Sequence, residues 1–299
     1  MNGIINIFKP SGLTSHDVVY KARKALHIKK IGHTGTLDPI AEGVLPICIG
    51  NATKISQFIV EKEKEYIAEL SLGKKTDTFD NTGQVLAEKN IIITKEEFCN
   101  ILNLFKGDIE QIPPIYSALK VNGKRLYEYA RENKPVEIKA RKVTITNLEL
   151  LEFNYPIAKI KVGCTKGTYI RSICNDIGEK LGTYGHMISL IRTKSGPFTS
   201  EDALALDDLT NLSLQQIESY LHPIDFPLQH LPRVDIHEYS ARFLLNGVPL
   251  IQKNVIQDIT IYDLEEKVRL YLNNHFKGIG VIQLNDSYRI KPLRIFTTD

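Results

Sequence analysis

Gly32-His33-Thr34-Gly35-Thr36-Leu37-Asp38-Pro39-Ile40-Ala41-Glu42-Gly43-Val44-Leu45 sets one carboxylate, Asp38, among glycines and a proline, then runs into the apolar Val44-Leu45-Pro46-Ile47-Cys48-Ile49. Proline after Asp38 steers that residue toward extended or turn backbone, and the glycines permit sharp bends on either side. The apolar run reads as a buried strand with a polar loop at its mouth. An isolated Asp-Pro commonly makes a turn in which the carboxylate binds its own backbone. Here His33, Thr34 and Thr36 crowd polar groups around Asp38, which favours an acid held out of the loop toward a site.

Outward from this loop the chain reads as α+β. Ile4 to Phe8 predicts a short strand, Lys9-Pro10-Ser11-Gly12 a turn, and Val18, Val19, Ala22, Ala25 and Leu26 the apolar stripe of a helix starting near Ser15. A second helix is expected at about 52–61. Tyr66, Ala68, Leu70 and Leu72 alternate with Ile67, Glu69 and Ser71, which places Tyr66 and Leu70 on one face of a strand. A strand over Ala158 to Cys164 leads through Lys166-Gly167 to a helix marked by Ile170, Ile173, Ile177 and Leu181 and ended by Gly182. Arg171 then falls in the first turn, where the helix dipole prefers anions, so its charge needs a partner, and Asp38 is the candidate.

Residues 113–141 mix Tyr116, Tyr127 and Tyr129 with Lys120, Lys124, Arg125 and Arg131, as an RNA-facing insertion would. The proline-rich Leu221-His222-Pro223-Ile224-Asp225-Phe226-Pro227, with Pro232 after it, is the expected linker between domains over 1–232 and 233–299. Short alternating runs at Val268 to Leu272, Gly278 to Leu284 and Tyr288 to Ile295 predict a small β-rich module.

The net charge is only +3, but it is unevenly spread. Residues 1–30 and 115–142 together carry a net +10, which leaves −7 for the remainder. That asymmetry suits one basic face for a phosphate backbone, with a solvated lysine-rich helix as the bland alternative. Cys48, Cys99, Cys164 and Cys174 form no Cys-x-x-Cys pair and lack histidines at ligand spacing, so free thiols are expected and zinc is not. Asp77-Thr78-Phe79-Asp80 supplies too few oxygens for a cation cage and reads as a structural or RNA-contacting loop. No cofactor and no metal are expected. No signal peptide or membrane-length apolar run is read, and a cytoplasmic location is expected.

The Asp38 segment resembles the motif of the TruB family of tRNA pseudouridine synthases. Lys9-Pro10-Ser11-Gly12-Leu13-Thr14-Ser15, Lys64-Glu65-Tyr66, Thr76-Asp77-Thr78-Phe79-Asp80, Pro113-Pro114-Ile115-Tyr116-Ser117-Ala118-Leu119-Lys120 and Gly167-Thr168-Tyr169-Ile170-Arg171-Ser172 resemble family segments in the family's order. The resemblance implies a pseudouridine synthase fold: a central mixed, mainly antiparallel sheet flanked by helices, with a C-terminal PUA-like RNA-binding domain. It implies isomerisation of one T-loop uridine of tRNA, position 55, by base flipping, and a compatible role as a tRNA folding chaperone.

By the same resemblance Asp38 is the catalytic carboxylate, as nucleophile or as base, and Arg171 its pairing cation. Tyr66 stacks on the base near carbon-5 and Leu190 packs against it. His33 fills the vacated stack, Gly35 and Thr36 belong to the substrate-binding loop, and Lys9 and Pro10 form a pocket wall. The implied partner is the tRNA T-arm, without guide RNA or membrane, for a monomer. Loss of the divergent C-terminal domain, with few basic residues and Asn273-Asn274-His275 at an expected turn, is expected to weaken binding more than it slows chemistry.

Three other readings compete. A binding module or chaperone would not need Asp38 or Arg171, a guide-RNA-dependent catalytic subunit would share the core, and an Asp-dependent hydrolase would want a second carboxylate near Asp38, which the sequence does not mark.

Overall fold

The computed structural model describes residues 1–59, 63–132 and 134–296. An eleven-stranded mixed sheet organises the first part. Its main path runs Leu204–Ala205, Gly3–Lys9, Glu42–Ile49, Gly185–Ser195, Lys64–Leu72, Ile157–Cys164, Arg141–Asn154, Gly107–Gln111. Most pairings are antiparallel. Glu42–Ile49 is parallel to Gly185–Ser195, and Gly3–Lys9 to Leu204–Ala205.

The helices Ser15–Leu26 and Ile170–Lys180 bury Val18, Val19, Ala22, Leu26 and Ile170, Ile173, Cys174, Ile177 in the main core. The first opens on a capping box in which Thr14 and Asp17 satisfy each other's backbone N–H, which fixes where the Lys9–Leu13 turn ends. Glu42–Ile49 is buried almost throughout, as its apolar composition requires, and Lys64–Leu72 alternates as expected, with Tyr66, Ala68, Leu70 and Leu72 turned inward.

A second, five-stranded sheet orders Arg233–Ile236, Lys267–Leu272, His275–Leu284, Tyr288–Ile295, Leu250–Ile251. Asn273 and Asn274, at φ 50° and 61°, close the Lys267–Leu272/His275–Leu284 hairpin as a two-residue loop. Positive φ at both central residues matches the twist of the strands, and asparagine tolerates it.

One expectation needs correction. The helix expected at 52–61 is a 3-10 helix over Gly50–Ile55; of that span, 60 and 61 lie outside the described residues. The expected linker segment packs between the two sheets. Leu221 and His222 pair with the Gly3–Lys9 strand, and Leu228 is fully buried with Ile4 and Val44 from one sheet and Ile279 and Phe296 from the other. Asp225 accepts a hydrogen bond from the Tyr271 hydroxyl and lies 3.6 Å from Arg269 Nη1, while Arg269 Nε donates to Leu231 O. Apolar burial and a charged node therefore tie the two sheets together.

Candidate active site

The Asp38 loop emerges where two parallel neighbours, Glu42–Ile49 and Gly185–Ser195, diverge after pairing only at Glu42 and Gly43. Gly43 has φ 103°, and a Cβ there would meet Arg192 O at 2.2 Å. This position requires glycine for both reasons.

The loop is held from several directions. Leu37 N donates to Ser15 Oγ at 2.8 Å, Gly12 N to Pro39 O at 2.9 Å, and Ser11 Oγ to Ile40 O at 3.1 Å. Two fully buried cations lie behind it. Lys9 Nζ donates to Leu13 O, Pro10 O and Pro39 O at 2.6, 2.9 and 3.2 Å. Arg192 donates from Nε to Val44 O at 2.7 Å and from Nη2 to Gly35 O at 3.1 Å, so one fork grips the loop on both sides of Asp38. Lys9, Gly43, Arg192 and Tyr66 stand in register on four adjacent strands. Burial pulls the Lys9 ammonium down to about 8, with Glu42 and Asp38 opposing.

In front of the loop Arg171 reaches Asp38 twice, Nε to Oδ2 at 2.9 Å and Nη2 to Oδ1 at 3.1 Å. The helix dipole argument for its partner is met. The guanidinium is shared further: Nη1 lies 3.3 Å from Asp80 Oδ2 and donates to Thr78 O at 3.2 Å, and Nη2 also donates to Tyr116 O at 3.0 Å. Asp80 is buried and accepts from Thr78 Oγ1, Thr82 N and Thr82 Oγ1. Phe79, at φ 62°, turns the chain so that Asp80 faces inward.

Burial raises the Asp38 carboxyl above its ordinary value; Arg171 opposes this, and Asp80 adds to it. The Asp38 side chain still exposes 36% of its surface to the cavity, so water moderates the effect until a substrate fills that space.

A cavity of about 350 Å³ opens onto Asp38 and Arg171, walled by Tyr66, Leu190, Leu119, Ile170, Thr36, Lys64, Ser117 and Thr168 among others. An adjoining cavity of about 890 Å³ extends from Asp38 past His33 and His16 to Lys120, Arg125, Tyr127 and Arg131. Arg125 and Arg131 flank the Tyr127 ring at 5.8 and 5.4 Å. Thus Asp38, Arg171, Tyr66, Leu190 and Thr36 meet at the inner cavity and His33 stands at the outer one.

Lys9, Pro10 and Gly35 line neither. Lys9 supports the loop from behind because its long stem crosses the sheet edge toward backbone carbonyls, Pro10 is exposed, and Gly35 contributes its carbonyl to Arg192. Sequence reasoning placed Asp80 only in a structural or RNA-contacting loop and passed over Arg192. The sequence marks no second carboxylate in a comparably strained, glycine-flanked setting, and the fold brings Asp80 to the guanidinium that holds Asp38. Among the described residues no group of three or more His, Cys, Asp or Glu is placed to hold a metal ion, and no helix is long and apolar enough to cross a membrane. None of the four cysteines is in a disulfide; Cys48, Cys164 and Cys174 are buried and Cys99 is half-buried.

Asp38 fixed on the Arg171 guanidinium, beside a pocket with an aromatic and an apolar wall and a basic, tyrosine-bearing outer cavity, suits a site that acts on a single base of a nucleic acid. Residues 23–170 match the TruB family pseudouridylate synthase N-terminal domain, and 171–229 the tRNA pseudouridylate synthase B C-terminal domain. The chain is similar to tRNA pseudouridine synthase B of Clostridium tetani, 47% identical over 94% of this chain and 95% of that one, and to that of Alkaliphilus oremlandii, 44% identical over 99% and 97%. A solved structure of an H/ACA RNP bound to a substrate RNA containing 2'-deoxyuridine shares the fold, with a TM-score of 0.75 and 25% identity over 99% of this chain and 85% of that one. The chain belongs to the TruB family of pseudouridylate synthases.

Proposed function

We propose that the chain isomerises one T-loop uridine of tRNA, at position 55, to pseudouridine, with Asp38 as the carboxylate that acts on the extruded nucleotide. The observation that carries this reading is the double contact of Arg171 with Asp38 at the bottom of the cavity walled by Tyr66 and Leu190. The reaction breaks the bond from ribose to the base nitrogen, turns the base and joins ribose to carbon-5; that carbon loses its proton and the freed nitrogen gains one, so the product is an isomer of the substrate. It needs no redox partner. Arg171 keeps Asp38 ionised and aimed, and Asp80 with the Tyr116 and Thr78 carbonyls keeps Arg171 in place. Tyr66 and Leu190 offer flat and apolar faces to the base, and His33 and Thr36 stand where the vacated stack meets the protein.

The basic wall from Lys120 to Arg131 holds the T-arm, with no guide RNA. The close bacterial relatives support the stand-alone reading. Residues 233–299 form a PUA-like RNA-binding domain after a catalytic domain over 1–232, and the chain works as a cytoplasmic monomer. Flipping a base remodels the RNA around it, so tRNA folding assistance accompanies catalysis. The test is tritium release from unmodified tRNA labelled at carbon-5 of uridine, with wild type and Asp38→Asn side by side and neither guide nor metal added. Release by wild type alone is the expected result; release by both, or by neither with tRNA binding intact, overturns the assignment.

A further inference from the structure

The helix Ser15–Leu26 buries one face and leaves the other open. On the open face His16, Tyr20 and Lys24 are exposed and follow one another at intervals of four residues, which stacks them in a single stripe, and the exposed His27 follows at the helix end. The stripe begins inside the site, because His16 lines the outer cavity with Asp38 and His33. It then leads away. Tyr20 is 55% exposed, and the Lys24 ammonium sits 5.2 Å from the centre of its ring. Beyond the helix end, Lys29 and Lys30 continue the exposed basic surface.

Asp17, the one acid of the segment, has its carboxylate engaged by Thr14 N and Oγ1 at the helix start. An exposed aromatic interleaved with cations is the chemistry that takes a nucleic-acid strand: the ring offers a face to a base or sugar, and the ammonium groups offer charge to phosphates. Twelve residues extend about 18 Å, enough to follow several phosphates of one strand. His16, Asp38 and the Lys120 to Arg131 wall line the same cavity, so the stripe and the wall both reach the site.

We infer that the His16–Tyr20–Lys24–His27 stripe, continued by Lys29 and Lys30, is a second RNA-binding surface that carries the tRNA strand leaving the target nucleotide, opposite the strand held by the Lys120 to Arg131 wall. The inference rests on the proposed tRNA substrate. Its test compares Lys24→Glu/Lys29→Glu with the charge-matched control Lys95→Glu/Lys106→Glu, whose four sites are all exposed and whose control pair lies toward the Arg141–Asn154 end of the sheet.

Unmodified tRNA affinity is measured at several salt concentrations, together with tritium release by each protein. The stripe variant is expected to bind about tenfold more weakly at physiological salt, with the loss falling on KM, and its plot of log affinity against log salt is expected to flatten by roughly 0.7 to 0.9 for each phosphate that the protein no longer neutralises. The control is expected to keep the wild-type slope. Equal slopes for stripe variant, control and wild type would overturn the second surface while leaving the enzyme assignment intact; failure of wild type itself to bind or convert tRNA would overturn both.

Discussion

The floor and the rim of the site are built from the same residue types, arginine, lysine and tyrosine, put to opposite uses. On the floor Arg171, Arg192 and Lys9 are buried, and each donates to backbone carbonyls or carboxylates within the protein. At the rim Arg125 and Arg131 lie against Tyr127 beside solvent. A buried cation has one arrangement in which its donors are satisfied, so it sets geometry, whereas an exposed one is screened and adaptable, so it sets affinity. The division predicts that floor substitutions act on chemistry and rim substitutions on binding.

The largest effect is expected for Asp38→Asn, which keeps shape but removes the reacting group. Single-turnover conversion should fall by roughly 10⁴-fold or more while tRNA affinity holds, and comparable losses in both would break the floor-rim division. Arg171→Met should slow conversion by about 10³-fold. It should also move the acid limb of the rate profile to higher pH, since Arg171 favours the ionised Asp38 whereas burial and Asp80 favour the protonated form. A limb that stays put or moves down would show that Arg171 does not set that charge.

Arg192→Met should cost about 100-fold in rate with little change in affinity, and Arg192→Lys should recover only part of it because a point charge cannot span Val44 and Gly35 carbonyls together. Paired with it, Tyr127→Ala/Arg131→Ala should weaken tRNA binding about tenfold and show up in KM. Stopped-reaction kinetics over a range of tRNA concentrations separates the two.

The smallest effect concerns stability. The Lys9 ammonium is pulled down to about 8 in the fold from 10.5, so between those values the unfolded chain binds more protons and wild-type stability rises with pH. Denaturation at pH 8 and pH 10 should show that rise in wild type and a flatter profile in Lys9→Met.

What the sequence made legible follows the same line. Asp38 and Arg171 could be read because each breaks a local pattern, an acid in a glycine and proline loop and a cation at the wrong end of a helix, whereas Tyr66 is in phase with a buried face and is singled out only by the family resemblance. Asp80 sits in a run of hydroxyls and acids that reads equally as a surface turn, and only the positive φ of Phe79 turns it inward. Arg192 did leave a signal, one arginine directly after the largely apolar Met187 to Ile191 stretch of a strand, but which carbonyls it grips depends on a parallel pairing of residues far apart in sequence. The Leu221 to Pro232 segment reads as a linker from its prolines, but how its apolar residues pack depends on two sheets, far apart in sequence, that converge on them.

Gly3–Lys9 and Glu42–Ile49 present Ile4 and Val44 to a cluster completed by Ile279 and Phe296 of the second sheet, and the carbonyl of that same Val44 receives Arg192. The C-terminal sheet therefore acts as a keel to the catalytic loop. Side chains of the second sheet thus pack on the same valine whose carbonyl receives the arginine behind the Asp38 loop.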